Sequence, residues 1–111
     1  MKKIYIDRIE WRDDDTKFLH RVDGPAVEWS NGAKFWYQNG KMHRLDGPAA
    51  EYKNGTKYWY QNGKCHRIDG PAIEEEGYKE WWLNGSIHTE EEWFNLLTED
   101  EKLNYILKGE K

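Results

Sequence analysis

Three near-copies of one 23-residue unit fill the middle of the chain. A chain that repeats at so short a period buries apolar surface by packing each copy on the next. The copies are HRVDGPAVEWSNGAKFWYQNGKM over 20–42, HRLDGPAAEYKNGTKYWYQNGKC over 43–65 and HRIDGPAIEEEGYKEWWLNGSI over 66–87, the last one residue shorter before Gly77. All three agree at His-Arg-x-Asp-Gly-Pro-Ala, at the following Glu, at Gly-x-Lys-x-Trp and at the Asn-Gly before the next His. His88 begins a fourth unit that departs at once into Thr-Glu-Glu-Glu-Trp.

The turn chemistry is spaced within each unit. Asn31-Gly32 and Asn39-Gly40 lie eight residues apart, as do Asn54-Gly55 and Asn62-Gly63. Asn-Gly accepts positive φ at both central positions and favours two-residue hairpin turns. Between the turns lie aromatic-rich runs such as Lys34-Phe35-Trp36-Tyr37, which favour extended backbone. If both pairs are two-residue turns, Val27 faces Trp36, Glu28 faces Phe35, Trp29 faces Lys34, and Trp36 faces His43. Asp-Gly-Pro adds a third turn, its proline unable to donate to a ladder. Each unit therefore reads as a short antiparallel β-hairpin stacked on its neighbour, the fold class being mainly β with a helical cap at the C-terminal end. Trp36, Trp59 and Trp81 then form a ladder of rings along the stack, with a ring platform for sugars or bases as the alternative.

Leu, Ile, Val and Phe number only 19 of 111 residues, a share that would suggest disorder in a highly charged chain, but net charge is only −4 and Trp plus Tyr add 14 large rings. The expectation is one domain with a thin, ring-rich core. Residues 1–73 carry 13 Lys/Arg against 10 Asp/Glu, and residues 74–111 carry 4 against 11. Nothing in this balance resembles the clustered basic stripe of a nucleic-acid or membrane binder. No apolar run reaches membrane-span length, and MKKIYIDRIEW is no signal peptide. The lone Cys65 fits a reducing compartment, so a cytoplasmic protein is expected (the host cytoplasm if it is viral).

The ends, 1–19 and 89–111, differ from the repeats of 20–88. Lys3 to Trp11 alternates loosely and reads as a strand running into a turn at Asp13-Asp14-Asp15. Thr89 and Thr98 are each followed three residues later by Glu, the capping-box pattern. The first helix is expected to bury Trp93, Leu96 and Leu97, and the second to carry Leu103, Ile106 and Leu107 on its apolar side, together closing the array.

His-Arg-x-Asp is the one constellation with chemical potential. His and Asp could move a proton, and Arg could clamp an anion. Yet it occurs three times, whereas an active site is built once from non-equivalent positions. The carboxylates of Asp23, Asp46 and Asp69 can bond nearby turn amides, and the arginines can pair with Glu28, Glu51 and Glu74 across strands. Structure is thus the first reading for Asp23, Asp46, Asp69 and Trp81. A ligand-binding reading keeps Arg21, Arg44 and Arg67 with His43, His66, Trp36 and Trp59. No catalytic residue, metal set or cofactor loop is expected, and Cys65, aligned with Met42 and Ile87, reads as a small hydrophobe.

The unit HRxDGPAxE…NGxKxWYxNGK resembles the DGPA-type repeats of small proteins from tailed phages, giant viruses and some bacteria, over about residues 17–97. It is more distantly similar to MORN repeats and to the MORN-like repeats of YwqK-family proteins. The resemblance implies a β-hairpin repeat fold and a viral origin. It implies no activity. The expected function is non-enzymatic binding of another protein through the face or edge of the stack. The alternatives are a sponge for a nucleotide-like signal, with arginines on phosphate and rings on the base, and a purely structural repeat protein. An uncovered aromatic face would also give the chain a reason to form a homodimer.

Overall fold

The two Asn-Gly pairs of a unit make different turns, for different physical reasons. In the computed structural model, which describes residues 1–108, Asn39-Gly40, Asn62-Gly63 and Asn84-Gly85 have positive φ at both residues. They close the two-residue turns expected, with Tyr37 opposite Met42 and Tyr60 opposite Cys65. His43 N–H bonds the Trp36 carbonyl at 3.0 Å, as the sequence predicts. At Asn31-Gly32 and Asn54-Gly55 only the glycine is left-handed. There Asn31 Oδ1 accepts the Ala33 N–H and Asn54 Oδ1 the Thr56 N–H, each at 3.0 Å, making an Asx turn inside a three-residue loop. The register consequently shifts from the one expected. Val27 lies opposite Phe35 and Glu28 opposite Lys34, rather than opposite Trp36 and Phe35. The shorter third unit closes this loop with Glu76-Gly77 and keeps the pairing, Ile73 with Glu80 and Glu74 with Lys79. Its missing residue comes out of the loop alone.

Thirteen short strands result among the described residues: β1 (Lys2–Ile4), β2 (Arg8–Trp11), β3 (Val27–Trp29), β4 (Lys34–Phe35), β5 (Tyr37–Gln38), β6 (Lys41–Met42), β7 (Ala50–Glu51), β8 (Lys57–Tyr58), β9 (Tyr60–Gln61), β10 (Lys64–Cys65), β11 (Ile73–Glu75), β12 (Tyr78–Leu83) and β13 (Ser86–His88). The units join edge to edge, since β4 pairs with β7 and β8 with β11. This makes one nine-stranded sheet in the order β1-β2-β3-β4-β7-β8-β11-β12-β13, flanked by the two-stranded ribbons β5-β6 and β9-β10. Across it runs a row of alternating charge: Glu28, Lys34, Glu51, Lys57, Glu74 and Lys79 are successive cross-strand neighbours. Opposite charges directly across a strand pair stabilise that register.

The core is thin and built of small residues. Ala26, Ala49 and Ala72 are completely buried at the same place in each unit, beside Ala33, Ala50 and Val27. Cys65 is buried too, and burial pushes its thiol pKa up to about 12, so it acts as a small apolar side chain.

The N-terminal end departs from the simple strand expected, whereas the two C-terminal helices form where they were expected. The N-terminal strand is a hairpin, β1 against β2, with Ile6 and Asp7 at its tip. The turn at Asp13 forms as expected, Asp13 Oδ1 accepting from Asp15 and Thr16 amides at 2.8 Å. Helices α1 (Glu90–Leu96) and α2 (Glu99–Leu107) follow, each opened by a complete capping box, Thr89 with Glu92 and Thr98 with Glu101. Trp93 and Leu97 are buried as expected. Leu96 is exposed, contrary to expectation, and Leu103, Ile106 and Leu107, which share one side of α2 as expected, are exposed too. The helix pair holds to the sheet through the ring of Trp93 against Trp81, and to itself through Tyr105 against Trp93 and Phe94. The aliphatic side of α2 is left facing out. Residues 109–111 of the expected cap lie outside the described residues.

The alanine positions make a direct test of how tightly the units pack. Ala49→Leu should lower unfolding stability by about 2 kcal/mol through overpacking, read as a lower urea midpoint at unchanged m-value.

Candidate binding cleft

The His-Arg-x-Asp-Gly-Pro segments carry the same geometry three times. Each arginine lies flat on the tryptophan one unit back. The Cζ atoms of Arg21, Arg44 and Arg67 sit 3.8, 3.8 and 3.7 Å from the ring centres of Trp11, Trp36 and Trp59. The guanidinium then bonds along the chain that follows it. Arg44 donates from Nε to Asp46 at 3.0 Å, and from Nη1 to the Pro48 carbonyl and to Glu51, each at 3.1 Å. Arg21 and Arg67 repeat this with Asp23, Pro25 and Glu28, and with Asp69, Pro71 and Glu74. The aspartates therefore hold arginine rather than the turn amides the sequence suggested. A β-carbon at Gly24, Gly47 or Gly70 would stand 2.9, 2.9 or 2.7 Å from the arginine Cζ, which is why glycine precedes proline here.

The histidines are committed as well. His20, His43 and His66 each accept at Nδ1 from the backbone N–H of Asn39, Asn62 and Asn84, at 3.0, 3.0 and 2.9 Å. The next amide of each turn, from Gly40, Gly63 or Gly85, bonds the carbonyl just before that histidine at 2.9 Å. The His side chain thus seats the tip of the second hairpin of its own unit. Acceptance at Nδ1 requires the neutral imidazole, with its proton on Nε2.

Two tryptophans absent from the expected set complete the pattern. Trp11 supplies the ring for Arg21, and its carbonyl accepts from His20 as Trp36 does from His43. Residues 8–19 are therefore a degenerate half-unit, recognisable in the sequence by a tryptophan upstream of the first His-Arg. At the other end, Thr89 stands where a fourth arginine would be, and the ring of Trp93 takes that place 6.4 Å from Trp81. Trp93 also donates from Nε1 to the Arg67 carbonyl at 2.8 Å. Tryptophan 81 keeps one trace of the substitution, a buried Nε1 without a hydrogen-bond partner among the described residues.

The third copy differs from the others because α2 lies beside it. A cleft of about 810 Å³ opens between the second Asp-Gly-Pro turn, the third His-Arg-x-Asp and α2. It brings Trp59, His66 and Arg67 together, while Trp36, His43, Arg21 and Arg44 do not line it. Its apolar lining is Leu45, Ile68 and Leu107, none of them foreseen as site residues. The signal was present: the variable position of His-Arg-x-Asp is aliphatic in every unit. Electrostatically the cleft is close to balanced. Burial works against the charged form of Asp69, but the bonds from Lys108 at 2.9 Å and Arg67 at 2.7 Å outweigh it and hold its pKa low. Burial lowers the pKa of His66, with the Glu101 carboxylate pulling less strongly the other way. Arg67 is mostly buried and already serves two carboxylates and a ring. Among the described residues no group of His, Cys, Asp and Glu is placed to hold a metal ion, and no helix is long and apolar enough to cross a membrane. No protein-family model, curated protein or solved structure matches the chain.

These contacts rank unequally. The Asp46 side chain is 88% exposed and that of Glu51 35%, so Asp46→Asn should cost at most about 1 kcal/mol. Arg44→Lys loses the fork and the ring stack together and should cost about 2 kcal/mol. Urea denaturation of the two variants checks the order. For pH, the native state holds His66 neutral with a pKa below the ordinary 6.5. The unfolded chain therefore binds more protons as pH falls through that value. The His66 contribution should be level above pH 6.5 and fall from there to the lowered native pKa, a step that His66→Asn reduces; loss of the Asp69 contribution starts only below its ordinary 3.8, and at the alkaline end stability should fall above the ordinary thiol value of 9.0 because burial keeps Cys65 protonated.

Proposed function

We propose that the protein is a non-enzymatic binding module whose repeat array presents a surface to another protein. One observation carries the reading. The polar side chains of His-Arg-x-Asp are spent on each other and on neighbouring turns, while the aliphatic residue between them stands out: Val22 is 76% exposed and Leu45 75%. Apolar side chains repeated at a regular interval on the turns between strands, beside a cleft, suit protein recognition better than chemistry. The DGPA-type resemblance sets this in a viral context, with a host protein as the partner and the cytoplasm as the compartment.

A second reading, sequestration of a nucleotide-like molecule, draws on the meeting of Trp59, His66 and Arg67 in one cleft. It requires the ligand's anion to displace Asp69 or Glu74 from Arg67. Titration calorimetry against a nucleotide panel separates the two, and the protein-binding reading expects no heat.

The direct test is affinity capture with the whole chain as bait. A specific partner should be recovered by the wild type and reduced at least about tenfold by Val22→Asp/Leu45→Asp, with Tm moved by no more than about 2 °C because both sites are at the surface. Equal recovery by the double variant, or nothing recovered above background, rejects the proposal.

A further inference from the structure

The geometry points to a specific kind of partner for this binding reading, on which the inference rests. The outward face of α2, continued into the cleft by Leu107, Ile68 and Leu45, docks an amphipathic helix whose polar side is basic. Leu103, Ile106 and Leu107 fall at i, i+3 and i+4, so they share one face of α2. They are 54, 58 and 77% exposed. The helix is held from its other side, by Tyr105 against Trp93 and Phe94 and by Lys102 over Phe94. Leu107 also lines the cleft beside Leu45 and Ile68. An apolar strip thus runs from the second repeat across the cleft to the middle of α2. It resembles a groove for the spaced anchors of a bound helix.

Charge selects the occupant. The first turns of α1 and α2 carry Glu90, Glu91, Glu92, Glu99, Asp100 and Glu101, and neither last turn carries a base. Glu92 and Glu101 are used in capping, and Glu90 receives the Tyr105 hydroxyl. Glu91, Glu99 and Asp100 meet no cation among the described residues. A second copy offering its own α2 would bring two acidic helix pairs together. A helix with Lys or Arg flanking its aliphatic stripe would meet complementary charge.

The probe is a fluorescent amphipathic peptide of Leu and Lys, measured by anisotropy against the full chain. Its controls are the same pattern with Glu for Lys and a scrambled Leu/Lys sequence. The Lys peptide should bind, with affinity reduced at least about tenfold by Leu103→Ser/Leu107→Ser, the size expected when buried anchors are removed. Glu99→Gln/Asp100→Asn, or added salt, should weaken it about threefold or more. Equal binding of the Glu or scrambled peptide, or binding unchanged in the leucine variant, overturns the inference. So does self-association in sedimentation velocity that the leucine variant or Lys2→Glu/Lys3→Glu abolishes, since a second copy would then be the occupant. If the protein partner is still captured by Leu103→Ser/Leu107→Ser but lost by Val22→Asp/Leu45→Asp, the binding reading stands and this inference alone falls.

Discussion

The structure depends on a guanidinium pressed between a tryptophan ring and a glycine, and bonded to two carboxylates and a proline carbonyl. With an apolar core made mostly of alanine, the array has little area to bury per unit, and stacked rings and charge-assisted bonds must do more of the joining. Arginine suits this role because its plane stacks while its edge donates in several directions. The ring comes from one unit, and the glycine, the proline and both acids from the next, so the contact links units rather than stabilising any one of them. That accounts for His-Arg-x-Asp-Gly-Pro and the distant tryptophan recurring together.

A periodic contact leaves an incomplete one at each end, and the two ends solve this differently. At the N-terminal end a half-unit supplies Trp11 so that Arg21 has its ring. At the C-terminal end the chain supplies Trp93 so that Trp81 is covered where an arginine is missing. The second solution is less complete, since it leaves the Trp81 Nε1 without a hydrogen-bond partner among the described residues and the aliphatic side of α2 outside. The last tryptophan is covered in the process, while the apolar strip beside the cleft is created by it. The cover over Trp81 and the exposed apolar strip are consequences of the same helix pair.

The repeated polar residues are largely occupied by contacts within the array. Each histidine has its Nδ1 committed to a turn amide, and each arginine already meets two carboxylates, which neutralise it before any anion arrives. The positions free to meet a partner are those the repeat does not use for itself: the aliphatic residue within His-Arg-x-Asp, and the outer side of α2. Their chemistry is apolar with an acidic border, which is the ground for proposing recognition rather than reaction.

From sequence alone the period, the hairpins, the pairing of arginines with Glu28, Glu51 and Glu74, both capping boxes and the burial of Trp93, Leu97 and Cys65 could be read, because each rests on local spacing or on a short-range rule. The register of the first loop could not, since Asn-Gly serves equally as a left-handed pair or as an Asx turn, and the choice follows from which strands must align. Nor could the stacking of arginine on tryptophan, which joins residues eight to ten positions apart through a fold that the pattern only outlines. The outward turn of Leu103, Ile106 and Leu107 was hidden for the same reason. A helix pattern says that one face is apolar, but what lies against that face is decided by how the rings of Trp93, Phe94 and Tyr105 settle on the last unit of the sheet.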